Sequence, residues 1–478
     1  MSEHAMVGQF RAGHLWQADG WHANADLAVG ADGRLVASAD GPASSLGAWV
    51  LPGMANLHSH AFQRAMAGLA ERKGRTQAPA SAHKGQQVTG PGGAPQAADD
   101  TFWSWRETMY AFAAAIGPDE LKAVAAQLYV EMLKAGYTQV CEFHYLHQQP
   151  DGSPYAPAEA MSLALIEAAR EAGMALTLLP VLYMSGGFDG RALIARQRRF
   201  GHRVSDYLRL LEVLRAYEAE DLRVGVALHS LRAVPEVAIH EVLASGLATA
   251  CPIHIHIAEQ LGEVQDCLAV RGARPVEWLL EHVGVDARWC LVHATHLSDT
   301  ETASLARSGA VVGLCPTTEA NLGDGLFPLA AYTQAGGAFG IGSDSHISVS
   351  PVEELRWLEY GQRLHTHHRS VAACEQGASV GETLWRAALR GGAQASGLPI
   401  GALHAGVRAD LIVLDDRSPL LAARDERSVL DSFIFAGNTP LVRDVMVGGR
   451  WVVRDFHHHD EERIAARYRS VVEQLAHA

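Results

Sequence analysis

From Val50 to Asp344 the chain repeats one pattern. A short, almost unbroken apolar run is followed by a longer segment whose apolar residues recur every three or four positions. The short runs are VLPGMANL, YTQVCEF, ALTLLPVLY, LRVGVALHS, PIHIHIAE, CLVHATH, AVVGLCP and AFGIGSD. Each is too short for a helix and too continuous for a half-solvated strand, so each reads as a strand buried on both faces. Longer segments such as PDELKAVAAQLYVEMLKAG and APAEAMSLALIEAAREAG carry the helical period. Eight buried strands alternating with helices predict an α/β fold with a parallel sheet, and eight is the number that closes a (β/α)8 TIM barrel. A doubly wound open sheet shares the alternation. The gathering of polar residues at the C-terminal ends of the strands favours the barrel.

The two ends of the chain have a different texture. GWHANADLAVGADGRLVASAD alternates polar and apolar residues around a hairpin signal, ADGR. ADLIVLD (Ala409 to Asp415) and VRDVMVGGRWVVRD (Val442 to Asp455, turning at Gly448-Gly449) repeat that texture late. The expectation is a small β-sandwich domain assembled from residues 1–50 and 401–456 around a barrel of residues 51–400, with a C-terminal helix in 457–478. Lys73 to Asp100, rich in Gly, Ala, Pro and Gln, reads as a flexible loop inserted after the first barrel strand. His457 to His459 read as a solvated tract.

Composition narrows the partners. A net charge of −14 opposes nucleic acid and anionic membrane surfaces, leaving a small anionic substrate open if arginines gather locally. No apolar run is long enough to span a bilayer and the first residues lack a signal pattern, so the expected address is the cytoplasm. The six cysteines are scattered without a CxxC, which suits reduced, buried thiols. Cys315, in a strand-like run with no assigned base, reads as core rather than as a nucleophile.

The chemistry collects at strand ends. His58 and His60 lie two residues apart after the first strand, so both imidazoles can face one point. HIHIAEQ supplies His254, His256 and Glu259 at the fifth strand. The sixth offers His293 and the eighth Asp344. Burying so many ionisable groups at one mouth requires a compensating cation or substrate. Imidazoles with a carboxylate suit one divalent ion, Zn²⁺ first and Fe²⁺ second. His256 is preferred to His254 because it lies nearer the strand end and keeps the HxxE spacing. No lysine stands where it could bridge two metals.

HxH, HxxE, the sixth-strand histidine, the SD of the eighth strand and GVRADLIVLD together resemble the amidohydrolase superfamily, on its deaminase branch. LHSHAFQRAMAGLAE, FWSWRETMY, CEFHYLH, ALHSLRAVP and SDSHISVSPVEELRWLEYGQR resemble, more narrowly, the formimidoylglutamate deiminases over nearly the whole chain. The resemblance implies His58, His60, His256 and Asp344 as metal ligands, with Asp344 also accepting a proton from water. It implies Glu259 as proton shuttle and His293 as the group that orients the water. The implied substrate, N-formimino-L-glutamate, carries two carboxylates. Arg106 and Arg232 are the candidates to bind them, with Gln63, Tyr145 and His229 as hydrogen-bonding partners. A homodimer is implied as well. The rivals are a deaminase of purine-like or other cyclic amidines on the same metal site, and a catalytically silent scaffold.

Overall fold

The computed structural model describes residues 7–71, 102–373 and 376–476. The expected loop from Lys73 to Asp100, and Cys374, lie outside the described residues. Eight parallel strands form the barrel: β1 (Met54–Ser59), β2 (Tyr137–His144), β3 (Ala175–Leu182), β4 (Val226–Ser230), β5 (Ile253–Ile257), β6 (Trp289–His293), β7 (Val311–Leu314) and β8 (Ala338–Ile341). They pair in chain order, and every expected run supplies one strand. Two runs are divided by a glycine. Gly225 separates β4 from a short strand, Leu222–Val224, that pairs with β3. Gly53 separates β1 from Ser44–Pro52, a strand of the terminal sheet.

The ring closes between β1 and the residues just after β8. The Asp344 amide donates to the His58 carbonyl at 2.9 Å, and the His60 amide donates to the Asp344 carbonyl at 3.3 Å. Asn56 latches the same seam. Its Oδ1 accepts from the amides of His58 and Ser343, and its Nδ2 donates to Ser343 Oγ. Approach is so close that a Cβ on Gly342 would stand 2.7 Å from the His58 nitrogen, which excludes any side chain there.

Helices pack outside the ring. Pro118–Ala135 begins with Pro at its first position and Glu120 accepting from the Gly117 amide; it stops at Gly136, whose φ of 106° suits only glycine. Its buried face, including Leu121, Leu128, Tyr129 and Met132, follows the predicted period.

The terminal strands form one eight-stranded sheet, in which Leu411–Leu414 pairs antiparallel with Ser44–Pro52 and so joins the two ends of the chain. Phe10, Leu15, Val50, Leu411 and Met446 belong to a second apolar core beneath it. The C-terminal helix, Glu461–Leu475, packs on Pro118–Ala135, with Lys134 Nζ 2.6 Å from Glu461 Oε2. The expected solvated histidine tract needs correction at one position. His458 is buried and lies 2.8 Å from the Ala172 carbonyl, because His457–His458 forms an edge strand against Val453–Arg454. The five described cysteines are free and buried. Among the described residues, no helix is long and apolar enough to cross a membrane.

Candidate active site

Four of the singled-out side chains cluster at the C-terminal mouth of the barrel. His58 Nε2 stands 3.1 Å from His60 Nε2 and 2.9 Å from His256 Nε2. Asp344 Oδ1 lies 3.5 Å and 3.3 Å from the first two nitrogens. The remaining ring nitrogens decide the protonation. His60 Nδ1 is 2.9 Å from the Phe143 carbonyl and His256 Nδ1 is 3.0 Å from the His229 carbonyl. A carbonyl only accepts, so both Nδ1 atoms carry the proton and both Nε2 atoms present lone pairs. Burial keeps these rings neutral, with His60 held down to about 3 and His256 well below the usual histidine range. His58 Nε2 can donate to one of these neighbours and not to both. At least one of the two neighbouring lone pairs is therefore left without a donor at hydrogen-bond distance, an arrangement that a cation between them resolves. The donor set of three imidazole nitrogens and one carboxylate fits a divalent metal.

His254 does not join them. Its Nε2 lies 3.0 Å from the Ala395 carbonyl, one layer deeper in the barrel. His293 is different again. Its Nδ1 lies 3.2 Å from Glu319 Oε1, and its Nε2 stands 3.8 Å from both Glu259 Oε1 and Asp344 Oδ2. Burial alone would lower its pKa. The carboxylates of Glu259, Glu319 and Asp344 outweigh that and lift it to about 10, whereas burial pushes Asp344 up to about 7 against the pull of His293. His293 and Asp344 have φ of 68° and 47°, a strained backbone that aims both side chains into the mouth.

Two supporting residues were not foreseen. Glu142, inside β2, accepts from the Ala61 amide and from Ser59 Oγ, bracing the turn that carries His60. A carboxylate within an apolar strand, as in YTQVCEF, was the available signal. His346 Nε2 accepts from the His60 amide at 3.1 Å, and its Nδ1 lies 3.0 Å from Ser343 Oγ. Glu319 accepts from the Cys315 amide as well as facing His293.

Above the cluster opens a cavity of about 190 Å³. All five expected substrate-binding residues line it: Gln63, Arg106, Tyr145, His229 and Arg232. Gln63 Nε2 donates to the Tyr145 hydroxyl at 2.8 Å. Arg106 is lowered below the ordinary arginine value first by burial and further by the charge of Arg232, and both side chains line the one cavity. Among the described residues no carboxylate forms an ion pair with Arg232. A larger groove of about 1250 Å³ runs beside Pro118–Ala135 and the C-terminal helix, but no histidine lines it.

Residues 49–452 match the amidohydrolase family. A formimidoylglutamate deiminase of Pseudomonas aeruginosa is 51% identical over 463 residues, covering 96% of this chain and 97% of that protein. A 5-methylthioadenosine/S-adenosylhomocysteine deaminase of Natronomonas pharaonis is 26% identical over 426 residues, covering 88% and 84%. The crystal structure of an amidohydrolase from Brucella melitensis superposes with a TM-score of 0.88 at 43% identity, covering 98% of this chain and 99% of that one.

Proposed function

The chain belongs to the amidohydrolase family, and from that premise we propose that it hydrolyses N-formimino-L-glutamate to N-formyl-L-glutamate and ammonia. The observation that carries the substrate is the pair of guanidiniums, Arg106 and Arg232, in the same cavity as the histidine–aspartate cluster. Two guanidiniums lining one cavity can each bind a carboxylate, which suits a dianion. A purine ring offers them nothing comparable. The reaction serves histidine breakdown, in the cytoplasm.

His58, His60, His256 and Asp344 would hold one divalent metal, Zn²⁺ by the softness of the donor set, with Fe²⁺ the alternative. Such an ion supplies Lewis acidity and brings the pKa of water at the site toward neutrality. The chain's own groups handle the protons. Asp344 accepts one from the attacking water at its carboxylate. Glu259 passes two in turn to the imino nitrogen, one as the water adds and one as the new carbonyl forms, so that both hydrogens of the water leave with it as ammonia. His293, between these two carboxylates, orients the water and steadies the oxygen at the reacting carbon. Arg106 and Arg232 bind the substrate carboxylates, and Gln63, Tyr145 and His229 complete the hydrogen bonding around them.

Ammonia release from N-formimino-L-glutamate, measured beside a panel of nucleobases and nucleosides, tests this reading. Turnover of the formimino acid alone is expected; turnover of a nucleobase without it would favour the purine-type reading. The assembly is proposed to be a homodimer, for which Trp357, Tyr360 and Leu364, exposed along one helix, offer an apolar face. Light scattering should then give twice the 51.3 kDa chain mass.

A further inference from the structure

Beyond Arg106 and Arg232, the outer wall of the cavity holds two tyrosines whose hydrogens are directed by a buried amide. Gln197, 2% exposed, sits in the short helical turn Ala195–Phe200 that follows β3. Its Oε1 accepts from the Ile194 amide at 3.1 Å. A backbone N–H can only donate, so the orientation of the Gln197 side chain is fixed. Its Nε2 is left to donate to the hydroxyls of Tyr110 at 3.2 Å and Tyr183 at 3.3 Å, which uses both amide hydrogens. Each phenol oxygen thus accepts from Gln197 and must turn its own hydrogen elsewhere. Among the described residues neither finds an acceptor, while both tyrosines line the cavity.

The depth of these hydroxyls indicates which part of a substrate they meet. Moving outward from the metal cluster, the ring of His256 is 5.2 Å from that of His229, and His229 is 4.4 Å from Tyr183. Tyr110 lies under the Arg106 guanidinium, 5.4 Å from its ring centre. The α-carboxylate of N-formimino-L-glutamate is one carbon from the amidine nitrogen. The side-chain carboxylate is three carbons away and belongs in this outer layer. We propose that Tyr110 and Tyr183, held as donors by Gln197, select the side-chain carboxylate of the substrate, with Gln197 as a positioning residue. This rests on the substrate reading above.

The test uses the metal-loaded enzyme, Tyr110→Phe/Tyr183→Phe and Gln197→Glu. Phenylalanine removes only the two hydroxyls. Glutamate keeps an acceptor for the Ile194 amide but draws the tyrosine hydrogens toward itself. KM for N-formimino-L-glutamate and the calorimetric Kd of glutarate should each rise by about tenfold or more in both variants, with kcat held within about threefold. Discrimination against N-formimino-L-glutamine, which lacks the side-chain carboxylate, should shrink by a similar factor. Values within twofold of wild type in the double phenylalanine variant, a loss confined to kcat, or no glutarate binding by the wild type would overturn the assignment. If the wild type releases no ammonia from N-formimino-L-glutamate, the functional reading fails, and the glutarate titration still decides the role of the tyrosines.

Discussion

At His58 Nε2, two neighbouring nitrogens compete for one hydrogen, and that frustration fits a site built to hold a cation. His256→Ala removes one donor, so metal content after gel filtration should fall well below one equivalent. His254→Gln, at a ring that hydrogen-bonds Ala395 instead, should leave metal content unchanged. The two histidines share a strand and differ by two positions, so spacing alone does not separate them; proximity to the strand end does. At the other side of the cavity, Arg232→Met should lower kcat/KM for N-formimino-L-glutamate by an amount equivalent to about 2–5 kcal/mol, because it removes a charged contact from a desolvated site. Glu142 and His346 escaped the sequence reading for a physical reason. They touch the backbone beside His60 rather than the reacting centre, and such contacts depend on which strands become neighbours.

Among the elements, the seam between β1 and β8 governs the site, since the hydrogen bonds that close the barrel are made by His58, His60 and Asp344 themselves. Asn56→Ala would leave the amides of His58 and Ser343 without an acceptor, at a cost of about 2–4 kcal/mol. A lower melting temperature together with weaker metal retention is expected, read by calorimetry and metal analysis. A second element-scale prediction concerns pH. Burial works against the Glu461 carboxylate, but hydrogen bonds from Lys134 and the His458 amide prevail and hold its pKa down to about 2, below the ordinary 4.5. A depressed carboxylate stabilises the fold fully above 4.5 and loses that contribution as pH falls toward 2. The melting-temperature gap between wild type and Glu461→Gln should therefore close across that window. The strands themselves were legible because each is buried on both faces and so reads as a continuous apolar run. Their breaks were not, since Gly53 and Gly225 interrupt runs whose hydrophobicity continues. His458 was misjudged because burial of an edge strand under a helix leaves no periodic trace in two residues.

For the molecule as a whole, one surface joins stability to catalysis: the residues that would bind metal also close the ring. Chelation should lower both activity and melting temperature, and Zn²⁺ should restore both. The expectation of an amidohydrolase barrel with a terminal β domain holds, and so does the resemblance to formimidoylglutamate deiminases. Strand-end motifs carried that much because they combine spacing with position. The shape of the substrate cavity was less legible, for Arg106 and Tyr110, Tyr183, and Arg232 come from three separate stretches of chain and meet only in the folded mouth. The central claim is that water attacks the formimino carbon and the imino nitrogen departs. Nuclear magnetic resonance of N-formimino-L-glutamate labelled with ¹³C at that carbon follows the products directly. N-formyl-L-glutamate should appear in step with ammonia, one for one; L-glutamate with formamide, or unconsumed substrate, would contradict the account.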